Sequence, residues 1–348
     1  MSLEKENITH ILQTLKKIAP EEMDTVVKRY HILREISSQE PIGRRSISLS
    51  LDFSERTVRN ETEKLSKQQL IEVSREGMKV TQEGKKILQE MKTFMQCVDA
   101  IMAVEKKLSH ILGITEVHIA QGDYQNTQSV KKEMAQIAAK VILNNVTKES
   151  TVAVTGGSTL ARVVEAMLFS KNQKVKLVVP ARGSIGGKLE YQADTLAAIL
   201  AQKLNASYKL LHLPDHMSEK AFKEIKQEPT IEQTIQEIRR ADVLILGVGN
   251  AMEMAKKRQV DSQVYSFLLK ERAVAEMLGY YLDSSGKVVY TSHSIGLRLE
   301  ELNRMRKIIV VAAGKNKAEA LVAVFKKMPQ AILITDTATA EEMIRLAE

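Results

Sequence analysis

From residue 117 to the end of the chain, short apolar runs recur, each followed by a stretch long enough for a helix. The runs fall at 117–120, 151–155, 175–180, 208–213, 241–247, 307–312 and 331–335. Apolar strands that alternate with helices predict an α/β fold with a doubly wound, mostly parallel sheet. Such a sheet takes its ligands outside the carboxyl ends of its strands. Residues 279–289, with Asp283-Ser284-Ser285-Gly286 as the turn, read as an added hairpin.

The strand ends carry the chemistry. Val152-Ala153-Val154-Thr155-Gly156-Gly157-Ser158-Thr159 passes from an apolar strand through two glycines into a helical pattern over 160–169. That order points free N–H groups and the positive end of a helix dipole at an anion. The glycines allow close backbone approach, and Ser158 and Thr159 are placed to cap the helix or to donate to phosphate oxygens. Three further strand ends repeat the theme. Pro180-Ala181-Arg182-Gly183-Ser184-Ile185-Gly186-Gly187 supplies an arginine and three glycines. Leu246-Gly247-Val248-Gly249-Asn250 is followed by Lys256, Lys257 and Arg258, and Ala312-Ala313-Gly314 by Lys315-Asn316-Lys317. Four such ends on one rim describe a site for a small molecule bearing phosphate groups. Gln192 and Glu276 are candidates for its hydroxyls.

The first 81 residues follow a different pattern. Ile8, Ile11, Leu12, Leu15 and Ile18 give one amphipathic helix that ends at Pro20. Residues 21–38 give a second, with Val26, Val27, Tyr30, Leu33 and Ile36 on its apolar side, and residues 44–51 a third. Ser54 is an N-cap for a fourth that runs to about residue 69, with Phe53 and Val58 as a hydrophobic staple. Residues 70–74 and 79–81 then form a two-stranded wing. On the fourth helix Arg56, Arg59, Asn60 and Glu63 share one face, opposite Val58 and Leu65. Arginine suits guanine and asparagine suits adenine in the major groove. Arg44, Arg45 and Lys79 are placed to hold the DNA backbone, with Ser54 and Thr57 at the helix start. This is a winged helix-turn-helix that reads double-stranded DNA.

Bulk charge does not make that case. The chain carries +8 overall, but residues 1–90 hold 16 Lys and Arg against 15 Asp and Glu. Its 348 residues exceed one ordinary core, so two domains are expected, with aliphatic cores because tryptophan is absent. The single Cys97 excludes an intramolecular disulfide and suits a reducing cytosol. No apolar run approaches the ~18 residues of a spanning helix, so a cytoplasmic protein with no membrane partner is expected. Between the two domains, Ile87, Met91, Phe94, Val98, Ile101 and Leu108 fall on heptad steps, with Glu105 in the one polar slot. They predict a helix that pairs two chains; the alternative is a linker helix packed on its own domain. The boundaries follow as 1–81 for the DNA-binding domain, 82–111 for the linker and dimerisation helix, and 112–348 for effector binding and oligomerisation. His212, Asp215, His216 and His293 read as loop residues; with no nucleophile elbow and no metal-ligand spacing, no catalytic residue, metal or cofactor is expected.

The Gly-Gly-Ser-Thr loop, Pro180-Ala181-Arg182-Gly183, Gly279-Tyr280-Tyr281 and Lys315-Asn316-Lys317-Ala318-Glu319-Ala320 resemble the sugar-binding domain of SorC-type bacterial repressors. The segments Glu40-Pro41-Ile42-Gly43-Arg44-Arg45-Ser46 and Ser54-Glu55-Arg56 are similar to one branch of that family, most of whose members carry a different DNA-binding helix. The resemblance covers nearly the whole chain. It implies a repressor of the triose-phosphate genes of glycolysis, released by fructose-1,6-bisphosphate, with a domain similar to the sugar-phosphate isomerase and deaminase fold. Carried over, Gly156, Gly157, Ser158, Thr159, Arg182, Gln192, Arg258, Glu276 and Lys317 would contact the effector; Thr155, Gly183, Gly247 and Gly249 of the same strand ends are candidates beside them. Family members often read Ala-Gly-Gly where this chain has Ala312-Ala313-Gly314. Two other readings stay open: a sugar-phosphate isomerase or deaminase with an accessory N-terminal part, and a related repressor that answers to another sugar phosphate. A homodimer or homotetramer is expected.

Overall fold

The computed structural model describes residues 11, 15, 19–184, 188–214, 220, 224–225, 227–292 and 294–348. Ile8, Leu12, Ile18, Ile185, Gly186, Gly187, Asp215, His216 and His293 lie outside the described residues. The chain divides into two compact units, Met1–Met102 and Ala103–Glu348.

In the first unit α1 (Pro20–Ser38), α2 (Arg44–Leu51) and α3 (Glu55–Lys67) precede β1 (Ile71–Val73) and β2 (Met78–Val80). The two strands pair antiparallel as a wing. Ile32, Leu33, Ile36, Ile47, Val58, Leu65, Ile71 and Met78 form the core, each worth about 1.5–3 kcal/mol of burial. Ser54 caps α3 by accepting from the Thr57 N–H at 3.1 Å. Phe53 packs on the cluster that holds Val58, as the staple requires. One expectation fails on α1: Val26 is exposed, whereas Ile32, on a different turn, is fully buried. The helix buries two stripes, and Val26 belongs to neither.

The second stripe answers the long helix α4 (Gln82–Leu112). Met23 and Tyr30 of α1 are buried with Met95 and Val98 of α4, and Met91, Phe94 and Ile101 pack against them. Over these turns part of the apolar seam packs against the chain's own α1, with Met91, Phe94 and Ile101 only partly buried. His31 Nε2 meets Asp99 Oδ1 at 2.8 Å, and Arg34 reaches the other oxygen at 3.2 Å. Glu105 accepts from the Ile119 N–H at 2.9 Å, which explains the polar slot.

The second unit is a seven-stranded sheet in the order β3-β13-β12-β7-β4-β5-β6. Its strands are β3 (Glu116–Ala120), β4 (Thr151–Val154), β5 (Leu177–Pro180), β6 (Ser207–Tyr208), β7 (Val243–Leu246), β12 (Lys307–Val311) and β13 (Ala331–Asp336). Every pairing is parallel. From β4 the chain moves outward through β5 to β6; from β7 it moves the other way through β12 to β13. The switch point lies between β4 and β7. One aliphatic cluster covers each face of the sheet.

A four-stranded antiparallel sheet, β11-β10-β9-β8, is added. The expected hairpin is β10 (Tyr280–Leu282) and β11 (Val288–Thr291); β8 (Gly249–Asn250) and β9 (Ala275–Met277) extend it. Two- and three-residue strands carry too little periodicity to be read from sequence.

Candidate functional site

At the switch point a cavity of about 750 Å³ opens between the ends of β4 and β7. The structure brings all of Thr155, Gly156, Gly157, Ser158, Thr159, Arg182, Gly183, Gln192, Gly247, Gly249, Arg258, Glu276 and Lys317 onto its wall.

Thr155 ties the two diverging strands together. Its N–H donates to the Ile245 carbonyl at 3.0 Å and its hydroxyl accepts from the Gly247 N–H at 3.2 Å. The loop then turns into α6 (Ser158–Ala166), numbering α5 as Gln128–Asn145. Gly157, at φ 133° and ψ 153°, is the N-cap. It occupies a region open essentially to glycine alone. A Cβ on Gly156 would sit 2.5 Å from the Tyr191 carbonyl oxygen, so no larger residue fits there. Two details differ from expectation. The Gly157 N–H is spent on the Tyr191 carbonyl at 2.8 Å, and neither Ser158 nor Thr159 caps the helix with its side chain. The donors left at the cavity are the first-turn N–H groups of α6, which have no intrahelical acceptor, and the Ser158 and Thr159 hydroxyls.

The opposite wall holds a buried charge cluster. Glu276 Oε1 accepts from Arg182 Nη1 at 2.9 Å, from Arg258 Nη2 at 3.0 Å and from the Gly279 N–H at 2.8 Å. Arg182 and Glu276 are 4% and 3% exposed. Burial opposes the Glu276 charge, but Arg258 and Arg182 outweigh it and hold the carboxyl below its ordinary range. Burial pushes both guanidiniums below their ordinary values against the pull of Glu276. The three side chains sum to one positive charge. Glu276, expected to meet a sugar hydroxyl, has the further work of holding two arginines in place.

Short backbone pairings make that cluster possible. Gly249 of β8 stands opposite Glu276 of β9, which brings two wall residues together from 27 positions apart. Gly279 has φ +85°, and a Cβ there would lie 2.6 Å from Ser292 Oγ and 2.9 Å from Arg182 Nη2.

Lys317 closes a third side, at the end of a 3-10 turn over Lys315–Lys317. Burial pushes its ammonium below the ordinary value, Glu253 opposes that shift and Lys257 adds to it. Gln192 caps α7 (Ala193–Leu204) from the wall, and its side chain donates to the Lys188 carbonyl at 3.2 Å. Sequence reasoning did not place Lys188, Tyr191, Glu253, Met254 or Lys257 on the wall, where they lie. Lys257 stood in the cationic run it did note; nothing local marks the others. His212, read as a loop residue, donates its backbone N–H to Asp194 Oδ2 at 3.1 Å and lies off the wall.

In the first unit Arg56, Arg59, Asn60 and Glu63 are exposed along one face of α3, while Val58 and Leu65 are buried on the other. Arg59 Nε pairs with Glu63 at 3.0 Å, which holds the Glu63 carboxyl below its ordinary range. The Ser54 and Thr57 hydroxyls face each other at 2.8 Å in the cap. Arg44 Nε reaches Thr62 Oγ1 at 3.3 Å from the start of α2. Arg45 is exposed 4.0 Å from Glu55, and Lys79 is exposed on the wing opposite Glu72. Among the described residues, no cluster of metal-ligating side chains occurs and no helix is long and apolar enough to cross a membrane.

A family model described as the CggR N-terminal DNA binding domain matches residues 25–95, and a sugar-binding domain model matches residues 97–345. The chain is 36% identical to the central glycolytic genes regulator of Bacillus subtilis over 338 residues, 97% of this chain and 99% of that one. The regulator of the same name from Priestia megaterium is also 36% identical, over 96% and 98% of the two chains. A solved SorC family transcriptional regulator from Enterococcus faecalis superposes at a TM-score of 0.66 with 33% identity, over 70% of this chain and 99% of that one. The full-length sorbitol operon regulator SorC of Klebsiella pneumoniae, 16% identical, shares the fold at a TM-score of 0.65 over 87% and 94%. The two matched spans include the α3 residues and the cavity-wall residues, and the chain belongs to the SorC family of transcriptional regulators, proteins that regulate and are not enzymes.

Proposed function

We propose that this chain represses glycolytic genes and lets go of its operator when fructose-1,6-bisphosphate, or a closely similar sugar phosphate, fills the cavity at the β4/β7 switch. Arg56, Arg59 and Asn60 read bases in the major groove. Arg44, Arg45 and Lys79 hold phosphates, while Ser54 and Thr57 fix the start of the reading helix. In the cavity the α6 N-terminus with Gly156, Gly157, Ser158 and Thr159 takes one phosphate. Arg182, Arg258 and Lys317 meet the second, and Gln192 and Glu276 orient the sugar between them. Thr155, Gly183, Gly247 and Gly249 shape the floor. The protein acts in the cytoplasm as a homodimer or homotetramer.

The observation that carries the reading is the cavity itself: a helix N-terminus on one side, and a net-positive buried cluster on the other. Two separated anion-binding ends suit a bisphosphate better than a monophosphate. For release, the sugar must bind the operator-free state more tightly than the operator-bound state, and the operator must weaken the sugar equally. Titration of labelled operator with full-length protein at fixed salt tests this. Added bisphosphate should weaken the complex at least tenfold; an unchanged titration would overturn the effector. Steady turnover of a sugar phosphate would restore the enzyme reading.

A further inference from the structure

The loop that follows β3 touches the cavity wall without forming it. It is stiff: Asp123 accepts from the Gln125 N–H at 2.7 Å and from Asn126 Nδ2 at 2.9 Å, and Asp336 accepts from the Tyr124 N–H at 2.6 Å. From this base two side chains reach in different directions. Tyr124 donates its hydroxyl to Thr159 Oγ1 at 3.3 Å, on the β4 side of the switch point. Gln125 Nε2 donates to Asn316 Oδ1 at 3.1 Å, on the β12 side, and Asn316 Nδ2 donates to Glu253 Oε1 at 2.8 Å. The order of these bonds is fixed by chemistry. A carboxylate only accepts, so the Asn316 nitrogen must face Glu253 and its oxygen must face Gln125.

Thr159, Glu253 and Lys317 are wall residues; Tyr124, Gln125 and Asn316 are not. Asn316 immediately precedes Lys317, and Glu253 is the carboxylate that opposes the loss of charge on the Lys317 ammonium. We propose that Tyr124, Gln125 and Asn316 are positioning residues, a strap that holds Thr159, Lys317 and Glu253 in their ligand-ready places and so sets how long a bound sugar phosphate stays. A wall already held in place loses less freedom when the ligand arrives. Loosening it leaves encounter unchanged and shortens the bound lifetime, where most affinity differences between related complexes arise. Because this rests on the sugar-phosphate reading of the cavity, the test begins with that reading.

The experiment is stopped-flow association and dissociation of fructose-1,6-bisphosphate with the full chain. Wild type, Asn316→Ala, Asn316→Asp, Glu253→Gln/Asn316→Asp and Tyr124→Phe are compared, with the melting temperature of each ligand-free protein. Asn316→Ala removes the link without changing charge, so dissociation should become roughly tenfold faster with association nearly unchanged. Asn316→Asp sets two carboxylates against each other and should release faster still. The double variant exchanges the two roles, an amide donor at position 253 facing a carboxylate acceptor at position 316, at the wild-type net charge. It should return dissociation to within about twofold of wild type. Tyr124→Phe cuts the other arm and should release severalfold faster. Ligand-free melting should move little across the set, because the two amide bonds are solvent-exposed and Tyr124→Phe removes only a hydroxyl.

Wild-type dissociation in both Asn316→Ala and Tyr124→Phe would overturn the strap. So would fast release in Asn316→Ala that the double variant does not mirror by recovery. A dissociation change tracked in full by lower ligand-free melting would reduce these residues to structural ones and overturn the proposal as well. If the wild type binds no sugar phosphate, the reading of the cavity falls first, and a strap without a ligand falls with it.

Discussion

The two units place their charges in opposite ways. On α3 the cations that face outward are exposed: Arg59 keeps 69% of its side chain open and pairs with a glutamate one turn away. In the sheet unit Arg182 and Arg258 keep 5% and 6%, pinned around Glu276. A DNA duplex brings its own dense charge and its own grooves, so long solvated side chains suffice to meet it. A small anion brings two or three oxygens, and the protein must arrange the charge beforehand in a site with little water. The first unit keeps its functional face independent of its core. In the second, the functional face is part of the core.

That contrast sets the order of expected effects. Glu276→Gln should be the largest, because it removes the carboxylate charge that two buried guanidiniums share. Removing one partner of a buried pair costs about 3–5 kcal/mol, read as a lower urea midpoint of the sheet unit. The same comparison has a pH form. Glu276 has a folded value below its ordinary 4.5. Its contribution is therefore complete above about pH 4.5, where unfolded chains are also ionised, and is lost as pH falls through the lower folded value. The acid slope of unfolding free energy below pH 4.5 should flatten in the variant. An unchanged slope would mean that Glu276 is not the group that titrates.

Gly157→Ala comes next. A methyl group at φ 133° carries about 1–3 kcal/mol of strain. The switch-point loop can relieve that strain only by moving, so calorimetry should show effector affinity reduced roughly tenfold or more. Binding at wild-type strength would place the anion elsewhere.

The first unit should respond only in binding. Arg59→Ala is expected to remove about 1–3 kcal/mol of discrimination at one base pair, measured by competition with operator variants, with melting unchanged. Lys79→Ala should be smallest: affinity falls alike for all sequences, and the slope of log K against log salt drops by about one. A large stability loss in either variant would erase the distinction between the two units.

Much of this architecture is legible in the order of the residues. Six of the seven strands of the sheet fall at nearly the positions their apolar runs predict, whereas the run at 208–213 forms strand only at Ser207–Tyr208, at the sheet's edge. Arg56, Arg59 and Asn60 share a face because helical spacing alone demands it. The misses have a common cause. Val26 lies between two buried stripes of α1, and which stripe wins depends on α4. Lys188, Tyr191 and Glu253 reach the wall from positions with no periodic signal.

By itself, the sequence determined the fold class, the reading helix and the four glycine-bearing strand ends, since each follows from local spacing and backbone freedom. Tertiary structure decided the rest. It brought Gly249 opposite Glu276, folded Glu276 between Arg182 and Arg258, and spent the Gly157 N–H on Tyr191 while leaving the first turn of α6 open. Those outcomes turn on distances between residues tens of positions apart, and burial changes what a charge is worth once it gets there.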